Sequence, residues 1–128
     1  MSTIRIILRA LLISTASLIS IGLLGRIALA EDAVIADPAH YKVEFENDKV
    51  RVIRITYGPG EKSVMHEHHR VGVTVSLTDT HDKTTLPDGT STEEAGEAGT
   101  VGWAEPTMHL PENLEDEPFE LIFVEIKD

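Results

Sequence analysis

From Tyr41 onward no stretch of this chain sustains a helical period; apolar residues fall instead in short alternating or β-branched runs separated by Gly, Pro, Asn and Asp. Tyr41-Lys42-Val43-Glu44-Phe45 alternates apolar and charged, Asn47-Asp48 makes a turn, and Val50–Tyr57 is β-branched with apolar residues on both parities, which predicts cover on both sides. Thr84-Thr85-Leu86 and Thr90-Ser91-Thr92 flank Pro87-Asp88-Gly89 and read as a hairpin, because Asp-Gly supplies the positive φ a tight turn needs. Gly96 and Gly99 argue for a turn rather than a helix over residues 93–99. A short strand follows at 100–103, an acidic loop at 112–118, and a last strand at Phe119–Ile126. Many short strands without alternating helices imply one all-β sandwich or small barrel, with no internal repeat or second domain.

Residues 58–75 carry the chemistry. Gly58-Pro59-Gly60 turns the chain into an extended segment containing Met65-His66-Glu67-His68-His69-Arg70. Strand side chains alternate faces, so His66 and His68 point one way while Glu67 and His69 point the other. Two imidazoles on one face, two residues apart, can grip a metal ion, and a barrel could bring His109, in a Pro-flanked segment, opposite them. With a regular pleat the inward set continues through Arg70, Gly72, Thr74 and Ser76, leaving Val71, Val73, Val75 and Leu77 facing outward. A bulge between His69 and Gly72 would reverse that assignment. An apolar row of this kind calls for cover by another strand, the N-terminal lead-in or a second subunit, and a homodimer is expected.

This pattern resembles the cupin superfamily. Gly60, His66 and His68 match its first motif, and Gly99, Pro106, His109 and Asn113 follow the order of its second, so the likeness spans residues 50–127. Where the family's first motif places a Glu, this chain has Gly72 or Val73. The resemblance implies a double-stranded β-helix, the small jelly-roll barrel, over 49–128, with a lead-in and first strand at 31–48. It also implies a three-histidine site, His66, His68 and His109, that holds a divalent ion without the usual Glu. Iron, manganese, nickel, copper and zinc all suit such ligands. Position 72 shares the parity of His66 and His68, so a carboxylate placed there would be expected to reach the ion.

Residues 1–30 read as a secretory leader: Arg5 and Arg9, an apolar run from Ala10, and Ala28-Leu29-Ala30 as a small-x-small cleavage site. The alternative is a retained membrane anchor, against which Arg26 interrupts the run. The whole chain carries a formal charge of −11; without the leader's three arginines the balance is 8 basic against 22 acidic residues, or −14. That surface repels nucleic acid and anionic lipid, so neither a nucleic-acid partner nor a membrane is expected once the leader is cut. The chain has no cysteine, so secretion or passage to a periplasm brings no disulfide.

Arg70, by its parity, is a candidate clamp for a substrate anion, with a rim ion pair to Glu61 or Glu67 as the plainer alternative. His40, His69 and His81 are read as surface residues, Tyr57 and Met65 as core, and Trp103 as a core or subunit-contact residue. Two function classes follow. One is an exported metal-dependent enzyme, an oxygenase or isomerase acting on a small-molecule ligand; the other is a non-catalytic module binding a metal or small ligand. Cupins host unrelated activities, so the fold names no substrate.

Overall fold

The alternating runs become strands in this computed structural model, which describes residues 30–128. The leader read at 1–30 lies outside the described residues except for Ala30. The elements are α1 (Ala33–Ala36), β1 (Tyr41–Glu46), β2 (Val50–Tyr57), β3 (His66–His68), β4 (Gly72–Ser76), β5 (Thr80–Thr85), β6 (Ser91–Gly96), β7 (Val101–Ala104), β8 (Thr107–Asn113) and β9 (Phe119–Ile126). A five-stranded sheet in the order β1-β2-β9-β4-β7 and a four-stranded sheet in the order β3-β8-β5-β6 enclose one interior. The fold is the all-β jelly-roll barrel that the sequence pattern implies.

On the inner face of the larger sheet, Tyr41, Ile53, Ile55, Tyr57, Phe119 and Phe123 form the core, each 6% exposed or less. They alternate with an outer set along each strand. The chain leaves β3 in one sheet and enters β4 in the other, yet parity survives the crossing. Gly72 is buried and Thr74 faces the interior, while Val73 and Val75 pair with Trp103 and Val101 on the outside. A bulge between Val43 and Phe45 turns Phe45 to that same outer face, opposite Val52. An apolar row therefore crosses all five strands, Phe45-Val52-Val124-Val73-Trp103, with Phe45 53% and Trp103 58% exposed at its ends. The outer side of β2 is accordingly only half-buried, not covered as its apolar parity suggested, and Trp103 is no core residue.

Pairing also revises two local expectations. Residues 93–96 extend β6 instead of turning, because Glu93 to Gly96 find ladder partners from Lys83 back to Thr80; the turn comes later, where Gly99 adopts φ 86°. Residues 112 and 113 likewise prolong β8 by pairing with Lys83 and Asp82. A satisfied ladder outweighs the roughly 1 kcal/mol that one glycine costs a strand interior. The lead-in is not a loose tail either: α1 packs on β1 and β3 with Ala33 fully buried, and Asp32 caps it by accepting from Val34 N at 3.1 Å.

Gly72 is a close-approach position. A Cβ there would lie 2.2 Å from the Val124 carbonyl oxygen and 2.5 Å from Phe123 Cε2. The expectation that a carboxylate at 72 would reach the histidines is therefore corrected: backbone of β9 occupies the space. Gly72→Ala should destabilise the domain by about 1–3 kcal/mol through overpacking, measured by urea unfolding. A loss under about 0.5 kcal/mol would mean that β4 and β9 separate easily.

Candidate metal centre

Strand β3 pairs with β8 so that His66 stands directly opposite His109, and His68 opposite Thr107. The period of two puts His66 and His68 on the inner face, and the cross-strand register brings the third imidazole to them. One ligand atom from each of the three lies within 4.8 Å of the others. The rings meet nearly edge to face, with centroids 4.9–5.2 Å apart and interplanar angles of 82–90°. Tyr41 packs edge-on against His66 at 4.7 Å and Phe123 against His68 at 5.2 Å, so aromatic neighbours fix the ring planes.

Hydrogen bonding fixes which nitrogen of His66 is free. His66 Nδ1 donates to the Val64 carbonyl at 2.9 Å, which leaves the Nε2 lone pair facing His68 Nε2 at 3.2 Å. His109 Nε2 is buried without a hydrogen-bond partner among the described residues. Burial pushes the His66 imidazole down to about 4 and His109 down to about 3, with the neighbouring histidines adding to the effect. Both are therefore neutral near pH 7, in the form that donates a lone pair to a metal. An orphaned buried nitrogen and converging neutral imidazoles fit a divalent ion.

The acid nearest this cluster comes from β9. Glu125 is the cross-strand partner of Gly72, fully buried, with Oε1 3.7 Å from His68 Nδ1. Arg51, its partner on β2, grips it twice: Nε to Oε2 at 2.7 Å and Nη2 to Oε1 at 3.0 Å. Burial alone would raise the Glu125 carboxyl, but the facing His68 and the Arg51 guanidinium outweigh it and hold it at about 2. This carboxylate lies behind His68, on the ring nitrogen turned away from the cluster. Sequence reading missed it, although a Glu on the inward parity of Phe119, Leu121 and Phe123 is a detectable anomaly.

A cavity of about 130 Å³ adjoins the histidines. His68 and His109 line it together with Tyr41, Ile55, Leu121 and Phe123, while Thr74, Thr107 and Glu105 supply its polar groups. Glu105, which borders the cavity, is exposed, and its Oε1 accepts from Trp103 Nε1 at 2.8 Å. A wider cleft of about 360 Å³ beside His40 and Arg54 is distant in character: Arg54 is paired with Glu44 and Glu120, and His40 with Asp37 and Glu61. The charges of His40, Arg54 and Glu61 there are already matched.

Arg70 and His40 lie where the sequence did not place them. Arg70 turns toward Glu125, Nη1 to Oε2 3.7 Å, and does not line the cavity; neither does it pair with Glu61 or Glu67. His40 is covered, its ring stacked on Tyr57 at 4.3 Å with Nδ1 2.7 Å from Asp37 Oδ2. His69, half-exposed beside Glu67, and His81, between Glu93 and Glu115, are surface residues as the sequence suggested. Asn113, in the second motif, is a latch and not a ligand: its Nδ2 donates to the carbonyls of Gly58 and Glu117, both at 2.9 Å, tying two loops together.

The sequence matches no family model and no curated protein. The structure is similar to a cupin domain from Bordetella pertussis Tohama I, with 26% identity and a TM-score of 0.64 over 69% of this chain and 92% of that one. It is also similar to an uncharacterised protein with a double-stranded β-helix domain from Klebsiella pneumoniae, at 23% identity and TM-score 0.53 over 66% and 72% of the two chains. A cupin 2 conserved barrel domain protein from Salinispora arenicola aligns at 20% identity and TM-score 0.52 over 69% and 74%.

The neutral imidazoles make metal-free stability depend on pH. Their folded values lie below the ordinary 6.5, so as pH falls through 6.5 the unfolded chain takes up protons that the folded chain refuses. Stability is complete above pH 6.5 and declines toward pH 4, His66 alone accounting for roughly 3 kcal/mol by then. Carboxylates add to the loss only near and below their ordinary 4.5. The thermal midpoint of the metal-free protein should therefore drop between pH 6.5 and 4.5, and drop less in His109→Gln. A midpoint independent of pH across that window would show that the folded site admits protons freely.

Proposed function

Taking the chain as a cupin by fold, we propose that it holds one divalent metal ion through His66, His68 and His109 and acts on a small molecule bound in the adjoining cavity. The observation that carries this reading is the convergence of three buried or half-buried imidazoles within 4.8 Å, two of them also lining a cavity of about 130 Å³. Three nitrogen ligands leave coordination positions for a substrate oxygen, and the ion would supply Lewis acidity or, for iron, manganese or copper, redox chemistry. That donor set serves an oxygenase or an isomerase.

The chain's own residues do the rest. Ile55, Leu121 and Phe123 exclude water from the cavity and favour an apolar body on the ligand. The hydroxyls of Thr74 and Thr107 can orient a polar group, and Glu105 can accept or return a proton at its Oε atoms. Glu105, an acidic residue that borders the cavity, is what favours catalysis over simple metal storage. Export is the second part of the reading, supported by Arg5, Arg9, the apolar run and Ala28-Leu29-Ala30. Dimerisation is the third, supported by the outward row that ends in Trp103, beside Val101 at 65% exposed.

Untagged protein should carry one metal ion per chain by elemental analysis, and the His66→Ala, His109→Ala double variant should carry none while keeping its β circular dichroism. Firm metal in the double variant would place the site elsewhere. Oxygen-consumption and isomerisation screens of the loaded protein then separate enzyme from binding module, and Glu105→Gln should lower any activity at least about tenfold without reducing metal content.

Sedimentation should show a dimer that Trp103→Glu converts to a monomer. A wild-type monomer at micromolar concentration would remove the second copy from this account. N-terminal sequencing of protein recovered from outside the cytoplasm should begin at Glu31.

A further inference from the structure

Strand β3 is an edge strand of only three residues, paired through β8 alone within its sheet. Its free edge is closed by the segment just before the barrel: Glu67 N, between the two ligand histidines, donates to the Glu31 carbonyl at 2.9 Å, and Asp32 forms a parallel bridge to Glu67. The same segment reaches both histidines through its acids. Asp37 Oδ2 accepts from Ser63 Oγ at 2.6 Å, and Ser63 Oγ lies 3.2 Å from His66 Nδ1. Asp32 Oδ2 accepts from Arg51 Nη2 at 2.5 Å, and Arg51 holds Glu125 in front of His68 Nδ1.

From this geometry we infer that Asp32 and Asp37, at the two ends of α1, are positioning residues of the metal centre, each acting on one histidine from behind. Asp37 works on His66 through Ser63; Asp32 works on His68 through Arg51 and Glu125. The inference rests on the metal-binding reading of the three histidines and adds that the barrel alone does not set the site.

Two observations separate this from an ordinary buried ion cluster. Among the described residues His68 Nδ1 is buried without a hydrogen-bond partner, and the Glu125 carboxylate is the acid facing it. When His68 binds through Nε2, its Nδ1 carries the proton. A carboxylate facing that N–H fixes the tautomer and the ring and raises the basicity of the ligating nitrogen. Asp37, for its part, is 8% exposed and draws the hydroxyl hydrogen of Ser63 toward itself. The Ser63 oxygen is then left as an acceptor beside the Nδ1–H of His66, alongside the Val64 carbonyl.

Zinc and manganese affinities of the full-length mature chain test this, measured by competition with a chromophoric chelator for wild type, Glu125→Gln, Asp32→Asn and Asp37→Asn. Glu125→Gln and Asp32→Asn should bind about 10–100-fold more weakly, with Asp37→Asn affected in the same direction. A core change away from the cluster, Ile53→Val, serves as the control for lost stability: it should lower the melting temperature and leave affinity unchanged. Nitrogen NMR of the zinc-loaded wild type should show His68 protonated at Nδ1 alone, a signal that broadens in Glu125→Gln. If Glu125→Gln fails to fold, Asp32→Asn, whose side chain is partly exposed, decides the branch through His68. Wild type that binds no ion defeats the metal reading itself. Wild type that binds tightly, with Asp32→Asn and Asp37→Asn within about twofold of it, defeats only the positioning role.

Discussion

A barrel interior that buries His66 and His109 must hold both imidazoles uncharged. His66 is wholly buried and His109 half-buried, and the three rings lie near 5 Å from one another, so protonating either of these two would set a cation in low dielectric. The fold meets this constraint by burial itself, which lowers the proton affinity of His66 and His109. What makes them poor bases makes them ready ligands, since a metal ion competes with protons for the same lone pairs. Site and stability thus both follow from the desolvation of these imidazoles.

The second constraint is the buried carboxylate. Glu125 lies wholly inside, and an unpaired charge there would cost several kcal/mol. Arg51 offsets that cost through two bonds, and Arg51 in turn is held by Asp32. Replacing such a cluster by apolar groups is often neutral for stability, so its presence beside His68 speaks for the site more than for the fold. The segment bearing Asp32 and Asp37 belongs to the same logic: residues before the barrel are ordered because they satisfy polar groups that the barrel leaves open. Glu67 N, Arg51 and Ser63 are those groups.

The outer face of the larger sheet poses the opposite problem. Its inner residues are fixed by the core, and strict alternation then forces Val73, Val75, Ile122 and Val124 outward. Trp103 and Val101 complete an apolar surface at the edge strand β7. Such a face is what alternation produces when the outer positions are themselves apolar, and it gives the dimer reading a physical basis independent of the metal.

Short-range rules read much of this from the sequence alone. Period two placed His66 and His68 on one face and carried the inward parity through Gly72 and Thr74, and the Asp88-Gly89 turn was legible because one glycine takes φ 86°. These are local, and steric or covalent geometry decides them. The register that sets His109 against His66 depends on which strands pair, and only the two-sheet topology decides that. So does the fate of Gly72, whose space is filled by the backbone of β9, fifty residues on, and of Arg70, which answers to Glu125. Glu125 was visible as a charge on an inward parity, but its meaning required knowing that His68 and Arg51, itself held by Asp32, converge on it. Parity is a property of a strand, whereas a partner is a property of the fold, because long-range pairing and desolvation act between residues the sequence keeps apart.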